Sequence, residues 1–144
     1  MAVEASRVVL KLPNDPRLVA AAAAAVEHFA ERVGFDAPAQ ADLAAAVEEA
    51  CCETLPLLPN SDATLDVTVE EFPDRLEVTL QHQGQAVPTA GLDTFAIPGA
   101  EAAGAGGLSG LGLLSRVDRV QYNTQGGTSR MTLVKYVRAH PGRR

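Results

Sequence analysis

Along the chain the spacing of apolar residues changes period several times, and each change marks an element. Arg7–Leu12, "RVVLKL", is short and β-branched at its centre and reads as a first strand. "PNDPR" stops it; Asp15 is placed to cap a helix and Pro16 suits a first helical position. Leu18, Ala22, Ala25, Val26, Phe29 and Val33 then recur at helical spacing, and Gly34 is the expected stop. Asp36 and Pro38 open a second helix whose inner stripe is Leu43, Val47, Ala50 and Thr54, ending by Pro56. After the turn-rich "PNSD", the run "ATLDVTVEEF" alternates apolar and polar as a half-buried strand does. "PDR" reverses the chain, and "LEVTLQHQG" alternates again to complete a hairpin.

Residues 83–112 hold most of the glycine and little periodicity. A loop of that length in a compact domain is usually functional or disordered. "LGLLSRV" predicts a short third helix, and "DRVQYN", "TQGG" and "TSRMTLVKYV" predict a closing hairpin. The order is β-α-α-β-β-loop-α-β-β, without internal repeat or heptads. The fold class this implies is an α/β (α+β) two-layer sandwich. Two long helices and a short third cover one face of a mixed, mostly antiparallel sheet.

The length of 144 residues is that of one domain, with a core over 7–137 and a basic tail over 138–144. Hydrophobic residues make up 47% of the chain, yet there is no Trp and aromatics are only 4%. The core is therefore Ala, Val and Leu, which suits helices packed closely on a sheet. A net charge of -6 argues against nucleic-acid binding, which needs basic surface to neutralise phosphates. The apolar stretch Val19–Val26 is too short to span a bilayer, and the N-terminus lacks a signal-peptide pattern. Cys51 and Cys52 are adjacent and form neither a C-x-x-C pair nor a disulfide framework, which fits a reducing cytoplasm. They read as small packing residues.

Candidate chemistry begins in "AAAVEEACCET", where Glu48, Glu49 and Glu53 stand among small apolar residues. At about 100° per residue, Asp42, Ala46, Glu49 and Glu53 form a stripe bordering the buried one, while Glu48 points to water. Glu49 and Glu53 are thus neighbours one turn apart. Like charges at that spacing cost about 0.2–0.5 kcal/mol, which a bound cation or basic partner would relieve. A solvated helix shoulder with spare charge is the plain alternative. His28, His82 and His140 have no cysteine or histidine partners at ligand spacing, which argues against zinc. No Gly-x-Ser-x-Gly elbow surrounds Ser109, which argues against a hydrolase.

Three features in order add a resemblance: a helix ending "VEEACCE", a strand running into "QHQGQAVP", and "GAGGLSGLGLL" followed by "VDRVQYNTQGGTSRMTLVKYV". From about Val8 to Val137 the chain resembles the GHKL ATPase superfamily, which has the Bergerat-type ATP-binding fold. Within it the chain is similar to the anti-sigma-factor serine kinases of bacterial partner-switching systems. The resemblance implies ATP and Mg2+ as ligands, and a sigma factor or its antagonist as protein partner. It also implies serine/threonine kinase activity on that antagonist, a cytoplasmic setting and a possible homodimer, for which an edge first strand would serve.

Residue by residue, the resemblance implies Glu49 as the general base. It places Glu53 at the metal position, where the family has Asn four residues after the Glu. A carboxylate there can ligate magnesium but brings a second negative charge near the triphosphate. His82 and Gly84 match the family's Asp-x-Gly, whose Asp accepts a hydrogen bond from the adenine amino group. A neutral imidazole accepts through one nitrogen only. Ala86 stands where a second glycine is usual. Gly104, Gly106, Gly107, Gly110 and Gly112 match a glycine-rich lid whose N–H groups wrap phosphates. Gly107-Leu108-Ser109 and Gly110-Leu111-Gly112 both fit its Gly-x-Gly frame, and the candidates at the phosphates are Gly107, Gly110 and Gly112. Glu53 and His82 also keep open an alternative: a protein-binding module on the same fold that has lost magnesium and ATP chemistry.

Overall fold

The structure is a computed structural model that describes residues 6–83, 113 and 115–137. Its elements are β1 (Ser6–Pro13), a 3-10 turn (Pro16–Leu18), α1 (Val19–Val33), α2 (Ala37–Thr54), a second 3-10 turn (Leu55–Leu57), β2 (Thr64–Phe72), β3 (Arg75–Gln83), β4 (Arg119–Gln125) and β5 (Thr128–Tyr136). Residues 113 and 115–116 are helical, at the place of the expected third helix. The strands form one sheet in the order β1-β2-β3-β5-β4, with β1 and β4 at its edges. Among the described residues every pairing is antiparallel, where a mixed sheet was expected. β2–β3 and β4–β5 are hairpins, β1 returns antiparallel to β2 after the two helices, and β5 rather than β4 docks on β3.

Alternation in the strands divides the sheet into a buried and a wet face. Leu65, Val67 and Val69 of β2, Leu76, Val78 and Leu80 of β3, and Met131 and Leu133 of β5 are buried. They join Val19, Ala22, Val26 and Ala30 of α1 and Leu43, Ala46, Val47, Ala50 and Cys51 of α2 in one cluster. Alanines on both helices bring their backbones close to the sheet. Burying each Leu or Val contributes about 1.5–3 kcal/mol. The other face is polar: Lys11 pairs with Asp66 at 3.2 Å, and the Thr79 and Thr132 hydroxyls lie 3.2 Å apart.

Local signals fix the boundaries. Asp15 Oδ1 accepts from the Arg17 N–H at 3.0 Å. Gly34 ends α1 in the left-handed region (φ 116), where a side chain would be strained. Asp36 Oδ1 accepts from the Ala39 N–H at 2.9 Å and caps α2. Gly126 (φ 60) and Gly127 (φ 81) supply the two positive φ values of a tight hairpin turn between β4 and β5. One helix position departs from expectation: Leu18 is exposed, and Val19 takes the buried place. The first turn is 3-10, with three residues per turn, so the phase of the stripe shifts before α1 begins.

Candidate functional site

Helix α2 has a definite direction on the sheet. Near its start, Asp42 lies 4.0 Å from Nη1 of Arg116. The Lys135 ammonium donates to the Arg116 carbonyl at 2.6 Å, and the Asp118 carboxylate accepts from the Tyr136 N–H at 2.7 Å. These contacts seat the N-terminal half of α2 over the end of β5. The C-terminal half therefore runs towards the start of β5 and the ends of β3 and β4. The charge of Glu53 is felt there by Tyr122 of β4, a half-buried phenol packed against the core. Its pKa is pushed up to about 12, first by burial and then by the Glu53 carboxylate.

His82 occupies the same end. It continues the inward-facing series Leu76, Val78 and Leu80 on β3 and is buried at 5% exposure. Its register partner on β5 is Ser129, also buried, which pairs in turn with Thr124 of β4. His82 Nδ1 lies 2.8 Å from the Gln83 carbonyl oxygen. A carbonyl only accepts, so Nδ1 carries the hydrogen, and in the neutral ring Nε2 is left as an acceptor.

Of the candidate residues, Glu49 is half-buried on α2 and Glu53 is exposed one turn further on, while Glu48 faces water as expected. The fold brings Glu49, Glu53 and His82 to one end of the helix-covered face. Gly84, Gly107, Gly110 and Gly112 lie outside the described residues. Tyr122 and Ser129 were not singled out from sequence. Alternation in "DRVQYN" puts Val120 and Tyr122 on one face and was the available signal. Their nearness to α2 follows only from the placement of β5 between β3 and β4.

Cys51 is buried, and its thiol is pushed up to about 12 by burial and by the nearby Cys52 and Glu48; Cys52 is exposed. A thiol that holds its proton so firmly is a packing group, not a nucleophile. Among the described residues no three His, Cys, Asp or Glu side chains are grouped to hold a metal by themselves. Glu53 offers one exposed carboxylate of the oxygen type magnesium takes, and phosphates and water would have to complete the shell. At the opposite end of α2 lies a cleft of about 240 Å³ lined by residues that include Phe35, Asp42 and Lys135. It is separate from the carboxylate end. Among the described residues no helix is long and apolar enough to cross a membrane.

The family model of the histidine kinase-like ATPase domain matches residues 12–134, and the chain belongs to that family. This bears out the resemblance at the level of the superfamily. No curated protein matches the chain.

Proposed function

We propose that this protein is a bacterial anti-sigma-factor-type serine/threonine kinase. It binds ATP with Mg2+ at the carboxylate end of α2 and acts on an antagonist protein in a partner-switching system. The observation that supports this most is positional. In a chain of the histidine kinase-like ATPase family, α2 carries Glu49 and Glu53 to the end of the sheet where His82 lies buried. Positioning and charge stabilisation supply most of the catalysis in phosphoryl transfer, and polar groups gathered at one end of the sheet would serve both needs.

In this reading the half-buried Glu49 accepts the proton of a serine hydroxyl whose oxygen attacks the γ-phosphorus, and ADP leaves. Glu53 would hold the cation, which when bound neutralises charge on the phosphates. His82 would read the base, and the resemblance assigns Gly84 to the same end and Gly107, Gly110 and Gly112 to the phosphates. The protein partner is a sigma factor or its antagonist, in the cytoplasm. β1, at the edge of the sheet among the described residues, would offer a route to a homodimer.

Glu53 and His82 favour a second reading, in which the same fold binds protein partners without nucleotide chemistry. Calorimetry with ATP and magnesium separates the two. Micromolar binding by the wild-type chain, followed by label transfer to an antagonist serine, supports the kinase. Binding that appears only in the Glu53→Asn, His82→Asp double variant supports the second reading.

A further inference from the structure

We propose that Lys135 is a positioning residue for the phosphate end of the nucleotide site. It holds the short helical segment that begins at Leu113, directly after Gly112, and touches no ligand itself. The proposal rests on the nucleotide reading above, in which Gly107, Gly110 and Gly112 serve the phosphates.

Its structural ground is a run of contacts from the sheet to that segment. Lys135 follows Met131 and Leu133 on the helix-covered side of β5, and its register partner on β3 is the buried Leu76. β5 lies between β3 and β4, so the side chain is rooted on an interior strand. Its ammonium donates to the Arg116 carbonyl at 2.6 Å. The last carbonyls of a helix have no partner within it, and a cation there makes a charge-assisted bond of the stronger kind. Leu113 and Val117 are buried in the core, and the Val117 N–H donates to the Leu113 carbonyl at 3.0 Å. Hydrophobic burial is non-directional, so it seats the segment without setting its angle. The Lys135 bond is directional and fixes the orientation of the segment to which Gly112 is joined. Arg116 also approaches Asp42 of α2, but a 4.0 Å contact between exposed side chains contributes little.

The test compares the full chain with Lys135→Met, which keeps an unbranched stem and removes the donor, and with Lys135→Arg, which keeps a donor. In Lys135→Met, hydrogen exchange at the Val117 amide should quicken by about ten- to hundredfold, the factor for one charge-assisted hydrogen bond. Core amides of β3 should keep their protection. ATP affinity should fall by about tenfold through misplaced phosphate-binding groups. The affinity for adenosine, which lacks the phosphates, should not change. Lys135→Arg should restore both exchange and ATP affinity. An unchanged Val117 exchange rate in Lys135→Met overturns the proposal whether or not nucleotide binds. Faster exchange with ATP affinity unchanged, or with ATP and adenosine weakened alike, overturns it and leaves the nucleotide site standing. No ATP binding by the wild-type chain removes the nucleotide reading and this role with it.

Discussion

The N-terminal half of α2 is tied down on several sides, whereas its C-terminal half carries two carboxylates over the far end of the sheet. At the first end Asp36 caps the helix, Asp42 approaches Arg116, and Lys135 and Asp118 hold the neighbouring chain to β5. These interactions fix an angle and a position. At the second end Glu49 is half-buried, Glu53 is exposed, and the Glu53 charge bears on Tyr122. Packing alone gives no reason to put like charges one turn apart beside a core. The contrast teaches that polar ties gather at one end of the helix while the other end carries two neighbouring carboxylates.

Substitutions at the two ends should therefore separate activity from stability. The largest effect is expected at Glu49. Glu49→Gln should slow transfer of label from ATP to an antagonist serine by about 10²–10⁴-fold, the range for loss of a general base. Its urea midpoint should stay near that of the wild type, and an unchanged rate would remove Glu49 from the chemistry. Leu43, fully buried in the anchored half, should show the reverse. Leu43→Ala should cost about 2–5 kcal/mol in urea unfolding through lost transfer energy and a cavity. Nucleotide affinity of the folded fraction should not change.

Alkaline titration probes the second end by another route. Tyr122 is raised from 10.0 to about 12, so the folded state holds this proton more tightly than the unfolded chain does. Its contribution to stability is intact below pH 10 and is lost as pH rises through about 12. Cys51, raised from 9.0 to about 12, acts in the same direction from pH 9 upward. Tyr122→Phe should flatten the fall in stability between pH 10 and 12 measured by denaturant unfolding, and an unchanged slope would contradict the burial of the phenol. The smallest effect is expected at the cap: Asp36→Ala should cost about 1 kcal/mol and leave ATP affinity unaltered.

Much of the fold was legible because its signals are local. Asp15, Gly34, Asp36 and the alternation in both hairpins act within a few residues, and each falls where the sequence places it. Leu18 was misplaced because a 3-10 turn changes the period before the helix starts. The sheet order was not legible: β5 pairs with β3 across a long sequence separation, and no local pattern encodes that choice. The candidate site divides in the same way. The Glu49 and Glu53 shoulder follows from helical spacing, and the inward side of His82 from strand alternation. Tyr122 and Ser129 join them only through the long-range pairing of β3, β5 and β4.

Mapping backbone amide shifts on addition of ATP and magnesium tests the division between the two ends most directly. The expected result is perturbation at Glu49, Glu53, His82, Tyr122 and Ser129, with Asp36, Asp42, Lys135 and Tyr136 unmoved. Perturbation centred on the cleft around Phe35, Asp42 and Lys135, or none anywhere, would contradict a nucleotide site at the carboxylate end of α2.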